Sequence, residues 1–263
     1  MSGAAASLPE MLGRLKLTAM RDRRDGLLDE AARRELSLAE TLALLREAEV
    51  AHREARRIQM GLGIAEFPWV RTLEGFDFAA RPSPDPKQVR ELAACRWVAS
   101  GDTLLIQGPP GVGKSHLAVA LGREAVRQGY SVLFTPAMAL ITGLMKGQAE
   151  GRLEERLARY AKPKLLIVDE FGYLPLEAHA AHLFFTLVSR RHERGSMLVT
   201  SNRSVSEWGV VLNDAVVATA ILDRLLHHSH VLTIRGDSYR LREKRRSGLL
   251  KSTNASAPAG LSA

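Results

Sequence analysis

The sequence has almost no cysteine: Cys95 is the single one among 263 residues. An internal disulfide is thereby excluded, and a reducing cytoplasm is the expected compartment. No apolar run approaches the roughly eighteen residues that a membrane span requires, and no signal-peptide core is read at the start. A membrane partner is therefore not expected. Internal repeats are also missing, which argues against stacked-repeat architectures. The histidines crowd at His227, His228 and His230, with His179 and His182 one helical turn apart. No cysteine or acidic ligand set stands at metal-site spacing beside them, so they read as surface or packing residues. Trp69, Trp97 and Trp208 read as packing anchors.

What is present suits a globular chain, with 46% hydrophobic and 25% charged residues. The length allows one good core with a small accessory unit, or two modest domains. The formal net charge of +8 points to a polyanionic partner. Five of those eight excess charges fall in residues 221–263, mostly in a run containing Arg240, Arg242, Lys244, Arg245 and Arg246. Such a run is either a solvated tail or a segment that touches phosphates.

Residues 1–7 and 247–263, small and polar, read as disordered tails. Leu8, Met11, Leu12, Leu15 and Ala19 fall at helical spacing. A capping box from Ser37 to Glu40 opens a second helix, which is expected to stop at Gly61 or Gly63. Residues 8–66 are thus expected to form a small helical domain. Prolines crowd residues 67–87 and mark a linker with aromatic anchors. From 88 to 246, helical patterns alternate with short apolar strands at 103–107, 131–134, 165–168, 197–201 and 231–235. Thr135-Pro136 reads as a helix start with proline at the first position. Near-continuous apolar strands between helices mean an α/β fold with a buried, mostly parallel sheet.

Within that pattern, Gly108-Pro109-Pro110-Gly111-Val112-Gly113-Lys114-Ser115 follows the strand Leu104-Leu105-Ile106 and precedes the helical segment from His116. Strand, glycine-rich turn and helix make this a phosphate-binding loop rather than a chance match. Glycines remove the Cβ atoms that would keep backbone N–H groups from phosphate oxygens, and the helix start adds free N–H groups. Lys114 is expected to reach the β- and γ-phosphates, and the Ser115 hydroxyl to hold Mg²⁺. The chain is therefore expected to bind a nucleoside triphosphate.

Asp169 closes the apolar strand 165–168, where a carboxylate can hold Mg²⁺ and its waters. Glu170 follows at once. Side chains of adjacent strand residues diverge, so Glu170 can face the γ-phosphate and accept a proton from attacking water. Asn202 ends the strand 197–201, where its amide can orient that water. Arg224 and Arg240 each qualify as a cation for the transition state, or as an ion-pair partner of a nearby acid such as Asp223.

With the loop, Asp169-Glu170, Asn202, Arg224 and Arg240 in this order, the chain resembles a P-loop AAA+ ATPase. More narrowly it is similar to the IstB-like helper ATPases of insertion-sequence transposition, relatives of the DnaC-like helicase loaders. Segments 72–78, 108–118, 129–132, 166–175, 200–202, 206–208, 223–228 and 234–240 carry the resemblance. It implies that Arg224 acts as a finger on a neighbouring subunit's ATP, which requires a homo-oligomer. It implies that Arg240 acts as a second sensor on its own subunit's nucleotide, within a reduced C-terminal lid. It further implies assembly on duplex DNA and a partner transposase, with the N-terminal helices as the contact unit. Phe171 departs from the smaller aliphatic residue usual in that family, and Ser115 from the commoner Thr. A helicase loader, acting on single strands and a helicase, shares nearly all these motifs. A GTPase would need a guanine-reading N/T-K-x-D run, which is missing. A small-molecule kinase would not need Glu170 and Asn202 to prepare water. No base-reading motif is present, so sequence-specific DNA reading is not expected.

Overall fold

The computed structural model describes residues 7–78, 83–236 and 238. Nearly all of both expected tails lies outside the described residues. Contacts divide the chain into two units, Met1–Gly61 and Leu62–Ala263.

The first unit holds α1 (Leu8–Arg14), α2 (Thr18–Arg33) and most of α3 (Leu38–Ile64). The helical spacing that runs from Leu8 to Ala19 is interrupted at Lys16, whose φ is 56°. The break has a physical reason. Leu17 caps α2 and offers no side-chain acceptor. The carboxylate of Glu49, buried on α3, supplies one by accepting from Ala19 N at 2.8 Å and Met20 N at 3.1 Å. Arg53 Nε donates to the other Glu49 oxygen at 2.9 Å. The Ser37–Glu40 capping box forms as expected, with Ser37 N donating to Glu40 Oε2 at 2.8 Å. The helix passes both glycines at which a stop was expected and ends at Ile64. Neither Gly61 nor Gly63 takes a positive φ, and the chain turns instead at Glu66, with φ 57°.

In the second unit the elements follow as α4 (Pro86–Ala93), α5 (Arg96–Ser100), β1 (Thr103–Gln107), α6 (Lys114–Arg127), β2 (Val132–Pro136), α7 (Ala137–Ala149) and α8 (Leu153–Ala161). Then come β3 (Leu165–Phe171), α9 (Ala178–Arg191), β4 (Ser196–Ser201), a 3₁₀ turn (Val205–Glu207), α10 (Trp208–Val211), α11 (Ala215–Leu226) and β5 (Ser229–Thr233). The sheet order is β2-β3-β4-β1-β5, and every pairing is parallel. Strand residues alternate between two buried cores. Leu104, Ile106, Leu165, Ile167 and Leu198 face one core with α4, α5 and α6. Leu105, Leu166, Val168, Met197 and Val199 face the other, with α7, α9 and α11. A sheet apolar on both faces must be covered on both, hence three layers. After β1 the chain crosses to the far edge at β2 and later returns to β5 on β1's other side. That makes the C-terminal end of β1 the switch point where α/β sheets bind ligands.

Some boundaries differ from the sequence pattern. Pro136 ends β2 and caps α7 rather than entering the helix. The helical pattern that opens this region at residue 88 breaks at Cys95, which has φ 54°. Cys95 is fully buried, and burial first, then the charge of Glu124, pushes its thiol up to about 12. It is no nucleophile. The phenylalanines of the proline-rich stretch are built into this unit: Phe76 is buried, and Phe67 and Phe78 pack on the same core.

Candidate nucleotide site

The loop 108–113 leaves β1 between its two neighbours. Gly108 N donates to Ser201 O of β4 at 3.2 Å, and Ile234 N, just past β5, donates to Gln107 O at 2.8 Å. Backbone crowding explains the glycines. A Cβ on Gly108 would collide with Ile234 O, and Gly113, at φ 98°, has Phe76 Cε2 2.8 Å from where a Cβ would lie. Lys114 opens α6 and is largely buried; its Nζ donates to Gly108 O at 2.7 Å and Pro109 O at 2.8 Å. The ammonium is thus held on the loop. A glycine cradle closed to side chains, with a lysine on it at a helix start, fits a polyphosphate. Ser115 stands beside Lys114 in the first turn. His116 turns away toward the segment before the sheet, with Nε2 2.8 Å from Thr72 O and its ring edge-on to Phe76 at 5.4 Å.

Two strands from the loop, about 10 Å across the sheet, Asp169 and Glu170 form a bulge. Val168 pairs with Val199 and Phe171 with Ser201, so two residues of β3 oppose Thr200 alone. Glu170 takes φ 61° there. A non-glycine residue in this region carries strain that its surroundings must hold. Thr200 does so: its Oγ1 donates to Asp169 Oδ1 at 2.5 Å and accepts from Glu170 N at 2.9 Å. Asp169 is 4% exposed while Glu170 is exposed. The adjacent carboxylates therefore point to different places, one into the protein edge and one outward. Thr200 itself went unnoticed as a site residue, because nothing local to it signals a bond to a residue thirty-one positions away.

Glu170 and Asp169 line a cleft of about 480 Å³ with Trp69, Tyr160, Glu66 and Arg159. Glu66 and Arg159 pair across its rim at 2.7 Å. Trp69, expected to pack inside, is 42% exposed here. Trp97 and Trp208 are buried as anchors. Phe171, the unusually large residue, is accommodated by Phe184 at 4.8 Å and Trp208 at 4.5 Å between ring centroids.

Asn202 follows β4 at this same edge, half-buried. The fold thus brings together the loop, Asp169, Glu170 and Asn202. It keeps Arg224 apart. That residue lies near the end of α11, beside a cavity of about 200 Å³ lined also by Asp102, Thr103 and Met197 at the starts of β1 and β4. It is on the opposite edge of the sheet, a strand's length or about 16 Å from the loop. Among the described residues Arg224 forms no ion pair, with Asp223 or any other acid. Its Nη1 donates to Ala220 O at 3.0 Å, and its guanidinium lies 4.7 Å over the Phe185 ring. Arg240 and the basic run that follows lie outside the described residues. Ser238, two positions before it, is described: its Cα lies 3.4 Å from where a Cβ on Gly111 would be.

Comparison with known proteins places the chain in a family. The family profile described as IstB-like ATP binding protein matches residues 10–247. A Pseudomonas aeruginosa protein named as an ATP-binding protein of insertion sequence IS21 is 47% identical over 243 residues, covering 92% of each chain. One from Geobacillus stearothermophilus, named for insertion sequence IS5376, is 42% identical over 236 residues, covering 90% of this chain and 94% of that one. Among solved structures, AMPPCP-bound DnaA from Aquifex aeolicus superposes with TM-score 0.54 at 22% identity, spanning 71% of this chain and 58% of DnaA's. The DnaI structure also gives 0.54 at 22%, spanning 63% of this chain and 91% of DnaI. Those likenesses show a shared α/β fold. With a family profile spanning nearly the whole chain and the phosphate loop built as described, the chain belongs to the IstB-like ATP-binding proteins of insertion sequences.

Proposed function

We propose that this protein hydrolyses ATP, assembles with copies of itself on duplex DNA, and thereby assists a transposase. The observation that carries the hydrolytic part is the bulge at the end of β3, with a buried carboxylate and an outward one tied to Thr200 beside the phosphate loop. Residues 108–114 would hold the triphosphate, with His116 behind them packed on Thr72 rather than aimed at phosphate. Ser115 and Asp169 would hold Mg²⁺, which when bound neutralises charge on the phosphate oxygens. Glu170 then accepts the proton of attacking water, and Asn202 orients that water.

The distance of Arg224 from its own loop supports its action on ATP held by a neighbouring copy, since an arginine there cannot reach across its own sheet. Such a finger is worth roughly 10³–10⁵ in rate. The approach of Ser238 to Gly111 supports Arg240 as a contact to the same subunit's nucleotide. The duplex-DNA and transposase parts rest on relatives named for insertion sequences and on the basic run 240–246.

The test is binding of the full chain to duplex and to single-stranded DNA, with and without ATP, following particle size and salt dependence together. Large ATP-dependent particles on duplex that weaken steeply with salt are expected, as for phosphate contacts. A preference for single strands would instead favour a helicase loader. Binding to neither would remove DNA from the account.

A further inference from the structure

Outside the nucleotide site, the fold gathers metal-binding side chains that are far apart in sequence. His192 caps the C-terminus of α9 and His227 that of α11. The ligand atoms of His192, Glu193 and His227 all lie within 4.8 Å of one another. The acidic partner that the histidine-rich stretch lacks in sequence is thus supplied by the end of another helix.

We propose that His192, Glu193 and His227 bind a zinc-class divalent ion. Two imidazoles and one carboxylate are a donor set that Zn²⁺ takes, with water or a further ligand in the fourth position. Tetrahedral donors about 2.0 Å from a zinc ion stand about 3.3 Å apart. The three side chains therefore need to close by about 1.5 Å, a movement that exposed Glu193 and His227 are free to make. Location favours a cation as well. The C-termini of α9 and α11 converge here, and helix C-termini carry partial negative charge. The nearest buried cation does not compete, because the Arg191 guanidinium is engaged by five backbone carbonyls, of Tyr160, Ala161, Pro163, Lys164 and Ser196. An ion here would fasten the end of α9 to the end of α11, three residues beyond Arg224. Binding itself does not depend on the ATPase reading.

The experiment is calorimetric titration of the full chain with Zn²⁺, after chelator treatment, without nucleotide and in excess Mg²⁺ so that hard-cation sites are filled. One Zn²⁺ per chain is expected. Its affinity should fall about tenfold or more in His192→Ala and in His227→Ala, and stay unchanged in His179→Ala. Glu193→Gln keeps the side chain's shape, so it should weaken Zn²⁺ while the metal-free protein melts as the wild type does. No saturable Zn²⁺ uptake by the wild type would overturn the proposal. So would unaltered affinity in both histidine variants, or a loss that tracks His179.

Discussion

Thr200 Oγ1 stands between the two carboxylate residues, donating to Asp169 and accepting from the Glu170 amide. Valine has the same shape and neither capacity. Thr200→Val is therefore expected to lower ATP turnover about tenfold, roughly the worth of one charge-assisted hydrogen bond. ATP affinity should change by less than about twofold, because the phosphate loop is untouched, and Thr200→Ser should restore turnover. Equal losses in affinity and turnover would show that Thr200 does not act by positioning the pair. Lys114→Ala removes the ammonium held on the loop carbonyls. It should weaken ATP binding about a hundredfold, as expected for a lost hydrogen bond to charged phosphate. Equilibrium binding of a labelled ATP analogue measures this directly.

Helices here depend on contacts that no local pattern signals. Arg191, fully buried at the end of α9, donates to five carbonyls, at the end of α8, in the α8–β3 connection and in β4. Arg191→Lys keeps the charge but cannot fan out to those acceptors, and should cost about 3 kcal/mol in denaturant unfolding. A loss below about 1 kcal/mol would mean that the carbonyls find water. Glu49 is the equivalent device in the helical unit. Burial works to raise its pKa, but the Arg53 bond and the two α2 amides outweigh this and hold it below the ordinary 4.5. A depressed carboxylate stabilises above its unfolded pKa, and that stability is lost as pH falls through the folded value. The stability gap between wild type and Glu49→Gln should thus be constant at neutral pH and shrink as pH drops below about 4.5. A gap that is flat down to pH 3 would contradict this. Such cases mark what was legible in the sequence. The strand β1, the glycine loop, Asp169 and Glu170 are short-range patterns of apolar run, turn and charge, and they could be read directly. The Glu49 cap, the Arg191 carbonyl cage, the Thr200 tie and the exposure of Trp69 depend on residues brought together only by the fold. The break at the buried Cys95 went unread for a related reason, since packing overrides the local preference of single residues, whereas α3 passes Gly61 and Gly63 because a helix tolerates an interior glycine at a cost of about 1 kcal/mol.

The chain as a whole carries its phosphate loop on one edge of the sheet and Arg224 on the other. That separation is the reason the proposed function places hydrolysis in an assembly. Among the described residues no helix is long and apolar enough to cross a membrane. Lys114→Ala and Arg224→Ala should each be inactive, and mixing them should restore part of the turnover, because some junctions then pair an intact loop with an intact arginine. No recovery at any mixing ratio, in particles of confirmed mixed composition, would argue against action in trans. In the proposed function, hydrolysis depends on the carboxylate that the β3 bulge turns outward. The most direct measurement is ATP binding and steady-state turnover of Glu170→Gln beside wild type. The neutral amide cannot accept a proton, so binding should persist while turnover falls about 10²–10⁴-fold. Turnover near the wild-type rate would contradict the account.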